Sequence, residues 1–110
     1  MDVYPVRWEL VPEMESALER FDGPIHIVEK GAFGSNVLSG MAAELCGIDA
    51  RIDIVGVCTD ICVVSNALMI RAECPEADIR VIADACGGVT RERHDAALMT
   101  MESCHIDIVK

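Results

Sequence analysis

Cys62 is the side chain in this sequence best placed to act as a nucleophile. It lies in Gly56-Val57-Cys58-Thr59-Asp60-Ile61-Cys62, where a run of β-branched residues gives way to a helical pattern. With Thr59 as N-cap, Cys62 falls in the first turn of the helix. Its thiol then lies near unpaired backbone N–H groups and the positive end of the helix dipole, a setting that favours the thiolate. The same N–H groups can receive an oxyanion. A cysteine by itself is as readily a small buried hydrophobe, so a second group is needed. Lys30 follows the run Ile25-His26-Ile27-Val28 almost directly, which puts a cation at the same sheet edge as Cys62. There it can stabilise a thiolate or protonate a leaving group, whereas a lysine in an ordinary glycine-containing loop is merely solvated.

These placements require strands that end beside one another. Four short β-branched runs read as buried strands: Ile25–Val28, Ile52–Val57, Ile79–Ala83 and Ile106–Val109. Helical patterns alternate with them. Pro12 suits a first helical position, and Met14, Leu18 and Phe21 give that helix an apolar stripe. Ser35 caps a second helix carrying Val37, Leu38, Met41, Ala42 and Leu45 and ending at Gly47, with Gly40 costing it roughly 1 kcal/mol. Thr59 caps a third, running to about Glu73 before Pro75. Thr90 caps a fourth, whose His94, Leu98 and Met101 share one face. Strands separated by helices need crossovers, and right-handed crossovers build a parallel sheet covered on both faces. The expected fold class is α/β, a three-layer α/β/α arrangement with a parallel sheet. The first dozen residues, with Tyr4, Pro5 and Trp8, offer no strand for the middle of such a sheet. In open parallel sheets ligands bind beyond the carboxyl ends of the strands. The segments to inspect are therefore Glu29–Ser35, Cys58–Cys62 and Asp84–Gly88.

Composition narrows the partners. The chain has 110 residues, 52% of them hydrophobic, enough for one domain that buries roughly 65% of its unfolded surface. Its net charge of −10, from 9 basic and 19 acidic residues, argues against nucleic acid or an anionic membrane surface. A small molecule or another protein fits better. No apolar run approaches the roughly 20 residues that span a bilayer, and the start lacks a basic segment followed by an apolar one, so a cytoplasmic location is expected. The six cysteines are then expected to be reduced. No C-x-x-C occurs and His26, His94 and His105 are far apart, which argues against a zinc module.

The motif Gly56–Val63 resembles the strand-to-helix segment that carries the nucleophilic cysteine in the isochorismatase-like cysteine hydrolases, and within them the nicotinamidase branch. Lys30-Gly31-Ala32-Phe33-Gly34-Ser35 is similar to that family's lysine loop. Asp84-Ala85-Cys86-Gly87-Gly88, with His94, Ala97 and Leu98, is similar to the stretch that follows. The likeness covers roughly residues 24 to 109. It implies a cysteine–lysine–aspartate triad that attacks a small amide, releases ammonia and forms a thioester that water hydrolyses. Carried over, Cys62 is the nucleophile and Lys30 the triad lysine. The resemblance also implies a cis peptide bond between Val57 and Cys58, with the backbone N–H groups of Cys58 and Cys62 as oxyanion donors. A hydrolase of isochorismate's vinyl ether is the other branch, and it lacks the cysteine. Cys58 stands where the family has a smaller apolar residue.

The sequence departs from the family upstream. The family's triad aspartate ends its first strand, and the metal-binding residues of nicotinamidases follow its second. Asp2 and Asp22 are the aspartates before Lys30, and neither follows a strand-like run. We therefore assign no triad aspartate, no metal ligand and no cofactor to this chain, although family relatives bind zinc. Trp8-Glu9-Leu10 with Pro12-Glu13 is similar to the piece after the metal-site histidine, so residues 1–110 are expected to form one incomplete domain without the family's first two strands. In the family order 3-2-1-4-5-6 that loss removes the middle of the sheet. It leaves the strand ending at Val57 with an unpaired edge, which invites homo-oligomer formation.

Other residues have plainer readings. Phe33 is a candidate contact for a flat substrate ring, or packs on its own sheet. Asp84 reads as a turn residue, His94 as a hydrogen-bonded core histidine, and Met69, Met99 and Met101 as helix core. The rival to a hydrolase is a non-catalytic α/β domain that acts through protein association.

Overall fold

Ser35 and Thr90 open their helices as local chemistry dictates: each is extended, and each side-chain oxygen accepts from a backbone N–H three residues on, those of Leu38 and Arg93. A computed structural model describes residues 12–29, 31–46 and 49–110. Lys30, Gly47 and the segment with Tyr4, Pro5 and Trp8 lie outside the described residues.

The elements in chain order are helix α1 (Pro12–Arg20), helix α2 (Asn36–Leu45), strand β1 (Arg51–Val57), a π-helical turn over Thr59–Val63, helix α3 (Val64–Glu73), strand β2 (Asp78–Gly87), helix α4 (Arg91–Ser103) and strand β3 (Asp107–Val109). The strands form a parallel sheet in the order β1-β2-β3. This is the α/β fold with a parallel sheet that alternating β-branched and helical segments predict.

Successive crossovers that step one way across a parallel sheet put their helices on one face. Val63 at the end of the π-helical turn, Ala67 and Ile70 on α3, and Ala97, Leu98 and Met101 on α4 share a single core with Ile79, Val81 and Ala83 of β2 and Ile106 beside β3. Strand period fixes which residues take part: Ile79, Val81 and Ala83 alternate with the half-buried Arg80 and Ile82. On β1 the alternation leaves Arg51, Asp53, Val55 and Val57 exposed, so the face away from the core is open there. Arg71 ties the far end of the layers together, donating to the carbonyls of Cys74, Pro75, Ala77 and His105.

Three expectations change. Ile25–Val28 is not a strand: Ile25 and Ile27 are exposed, and no strand lies beside them among the described residues. A β-branched run becomes a strand only where a neighbour takes up its N–H and C=O groups. Asp84 is not in a turn after β2 but within it, exposed, where three extra β2 residues bulge out as the register steps from Ile54↔Val81 to Gly56↔Cys86. Gly56, at that step, has φ +137, a backbone conformation that favours glycine. Of the methionines read as core, Met101 is fully buried but Met99 is 68% exposed, because it lies one residue, about 100°, round the helix from Leu98.

Candidate functional site

The chain leaves β1 at Val57, passes a cis Val57–Cys58 peptide bond, and enters a wide π-helical turn that carries Cys62. The cap of this helix is Cys58, not Thr59 as the sequence suggests: Cys58 is extended, and its carbonyl accepts from the N–H groups of Ile61 and Val63, both at 3.1 Å. Thr59 is one residue inside, and its hydroxyl has a different partner. Thr59 Oγ1 and His94 Nδ1 share a hydrogen bond of 2.7 Å, with both residues buried. His94 is thus the hydrogen-bonded core histidine expected from its place on the apolar face of α4.

Three further bonds hold the turn. Asp60 Oδ1 accepts from the Val89 N–H at 3.0 Å, which fastens the turn to the loop after β2. Ser65 Oγ donates to the Ile61 carbonyl at 2.6 Å. Asn66 Nδ2 donates to the Cys62 carbonyl at 2.9 Å. Such turns with i→i+5 bonds are rare and concentrate at functional positions. Here the widened turn sits at the carboxyl edge of a parallel sheet, where ligands bind in this fold class.

Cys62 is half-buried and lines an apolar groove of about 460 Å³ that runs along β1, with Leu38 and Ala42 of α2 on its other wall and Asn66 and Ile70 of α3 at its base. A larger hollow, of about 530 Å³, lies against α4 and is lined by Asp84, Cys86, Arg91 and Asp95 among others. Cys62 does not line it. Burial pushes the Cys86 thiol above its ordinary value, partly offset by a hydrogen bond with the Gly56 backbone. Cys58 is half-buried within the same strand-to-helix segment as Cys62, and no disulfide joins the described cysteines.

The triad lysine of the resemblance, Lys30, lies outside the described residues. The segment after it is described, and it is bound to the Cys62 helix. Asn66 Oδ1 accepts from the Ser35 N–H at 2.8 Å, and Asn66 Nδ2 also donates to the Phe33 carbonyl at 3.0 Å. The Phe33 ring is 63% exposed. The sequence reading did not single out Asn66. Its signal was a lone amide in the apolar stretch Val63-Val64-Ser65-Asn66-Ala67-Leu68, one helical turn after Cys62. No group of three or more His, Cys, Asp or Glu side chains converges as a metal site among the described residues. No described helix is long and apolar enough to cross a membrane.

Fold and site together define a class: a parallel α/β domain that presents a cysteine in the turn after its first described strand. Residues 5–109 match the isochorismatase domain, and the chain belongs to that family. Its structure is similar to the zinc complex of the pyrazinamidase of Pyrococcus horikoshii, at 27% identity and a TM-score of 0.61 over 74% of this chain and 45% of that one. It is similar in fold to the nicotinamidase of Staphylococcus aureus, at 23% identity and a TM-score of 0.69 over 87% and 61% of the two chains. The Acinetobacter baumanii nicotinamidase and pyrazinamidase shares 31% identity at a TM-score of 0.53, over 66% of this chain and 34% of that one. The chain thus spans less than two thirds of the length of each of these structures. No curated protein matches it significantly.

Proposed function

We propose that Cys62 is the nucleophile of a cysteine-dependent hydrolase of small amides, nicotinamidase-like in chemistry. The observation that carries this reading is the Cys62 turn itself: a half-buried thiol at the carboxyl end of a parallel strand, on a π-helical turn fastened by bonds to α4, to the loop after β2 and to the segment after Lys30. The thiolate attacks the amide carbonyl carbon and forms a tetrahedral oxyanion, which the Cys58 and Cys62 N–H groups receive. The C–N bond then breaks, the nitrogen takes a proton from the Lys30 ammonium, and ammonia leaves behind a thioester. Water adds to the thioester and returns a proton to the Lys30 amine, the C–S bond breaks, and the acid departs with the thiolate and the ammonium restored. Support comes from family membership and from the nicotinamidase and pyrazinamidase structures of the same fold.

The reading is tested by ammonia release from nicotinamide and pyrazinamide, and by the alkylation rate of each cysteine, in the chain and its Cys62→Ala variant. Release that disappears in Cys62→Ala, with Cys62 alkylated far faster than the exposed Cys104, is the expected result. No release, with Cys62 labelled as slowly as the rest, overturns it.

A second reading, a domain that acts through association with another copy of itself, draws on the open side of β1. Val55 and Val57 are 53% and 71% exposed there, and no strand among the described residues covers that edge.

A further inference from the structure

Asn66 spends its side-chain amide on three backbone groups from two distant parts of the chain. Oδ1 accepts from the Ser35 N–H at 2.8 Å, while Nδ2 donates to the Phe33 carbonyl at 3.0 Å and to the Cys62 carbonyl at 2.9 Å. The first two partners lie 31 and 33 residues away, and the third is one turn back on its own helix. Asparagine has two amide hydrogens and one carbonyl oxygen, so both donors and the acceptor are in use. The reversed amide would set oxygen against two carbonyls and NH₂ against an N–H, so these partners fix its orientation. Asn66 is only 8% exposed, and each bond is therefore costly to lose. α2 and the segment before it are thereby tied to the nucleophile's turn, and the bond to the Ser35 N–H is buried.

We propose that Asn66 is a positioning residue that holds the segment Phe33–Ser35, which follows Lys30 in the chain, in register with the Cys62 turn, so that the reactivity of Cys62 depends on this amide bridge. The inference rests on the reading of Cys62 as nucleophile and Lys30 as its partner. A structural role alone would stabilise the fold; a positioning role makes the reactivity of Cys62 depend on Asn66 only while Lys30 is present.

The test uses the full chain with Asn66→Ala and Asn66→Ser, each alone and combined with Lys30→Ala. Serine is the milder change, because its hydroxyl can still donate to the carbonyl four residues back, as Ser65 does to Ile61 at 2.6 Å, but cannot span to the loop. Two readouts are taken on variants that retain a cooperative unfolding transition. Hydrogen exchange is expected to show the Ser35 amide losing protection, while the Ser39 amide, bonded to the Ser35 carbonyl at 3.1 Å, keeps its own. Alkylation of Cys62 across pH 6 to 9 is expected to slow by about tenfold or more, since misplacement by about 1 Å can cost on the order of a hundredfold. Lys30→Ala is expected to slow it equally, and adding Asn66→Ser to Lys30→Ala to slow it no further. A folded Asn66→Ser chain whose Cys62 reacts as in the parent overturns the proposal. So does a double variant in which the two losses multiply. If Cys62 in the parent reacts no faster than Cys104, the nucleophile reading itself falls and this inference falls with it.

Discussion

Thr59 and His94 meet through a 2.7 Å hydrogen bond although 35 residues separate them, and with relative exposures of 0% and 8% neither has water to fall back on. The bond joins the first residue of the Cys62 turn to α4. An unpaired buried group costs about 1–3 kcal/mol, more than the bond itself contributes net. Thr59→Val, which keeps the shape and removes the hydroxyl, is therefore expected to lower unfolding free energy in urea by about 1–3 kcal/mol, and His94→Ala by at least as much. The double variant is expected to fall short of the sum of the two. Strict additivity would mean that the pair contributes nothing as a pair.

Two glycines should respond to alanine with opposite signs. At Gly40, inside α2, an added Cβ meets no atom within 4 Å, and Gly40→Ala is expected to raise stability by about 0.5–1 kcal/mol through lost freedom of the unfolded chain. At Gly88 the same Cβ would lie 2.8 Å from the Cβ of His94 and 3.0 Å from its Cα and N. Backbone cannot swing aside as a flexible side chain can, so Gly88→Ala is expected to cost about 1–3 kcal/mol and to disturb the Thr59–His94 bond. Thermal melts of both variants, read against the parent, decide the signs.

How much of this was legible in the sequence depends on the range of the interaction. The Ser35 and Thr90 caps are satisfied within three residues, so residue type announces them. The β1 and β2 segments are legible as short β-branched runs, and Cys62 stands out because its motif is short and contiguous. Thr59 misleads for the opposite reason: it has the chemistry of a cap, but a histidine on another helix claims its hydroxyl. Asn66 is silent in the sequence because its meaning is the meeting of Phe33, Ser35 and Cys62 in space. Ile25–Val28 has the right residues for a strand, yet nothing in those residues states whether a neighbour will be there.

The open face of β1 carries a pH dependence of known sign. The Arg80 guanidinium donates from Nε to Asp53 Oδ1 at 2.9 Å and from its Nη2 to Oδ2 at 3.2 Å, with Arg51 also near. The Arg80 hydrogen bond holds the Asp53 carboxyl below its ordinary value, and Asp53 in turn raises Arg80. A carboxylate depressed in the folded state contributes stability above its unfolded value, near 4, and loses it as pH falls through the lower folded value. Urea titrations from pH 6 down to pH 2.5 are expected to show a loss of stability below about pH 4 that is smaller in Asp53→Asn. Because the pair is exposed, the difference should shrink in about 1 M salt. An Asp53→Asn chain with the same acid profile as the parent would exclude the pair as a source of that loss.

The edge of β1 makes the final prediction. A strand that ends a sheet presents a row of N–H and C=O groups, and proteins blunt such edges with charge or cover. Here the charge is confined to the start of the strand, at Arg51 and Asp53, while Val55 and Val57 are exposed and an apolar groove of about 460 Å³ runs alongside between β1 and α2. Covering that edge with a second chain would bury Val55, Val57 and the groove wall, so association and folding should be linked by mass action. Sedimentation is expected to find species larger than one chain at micromolar concentrations, with a melting midpoint that rises with concentration. Val55→Lys, which sets a charge on the open strand, is expected to shift the population to single chains, lower the midpoint and abolish its concentration dependence. A sharp, cooperative and concentration-independent melt from a species that sediments as a single chain would show that β1 does not rely on a partner.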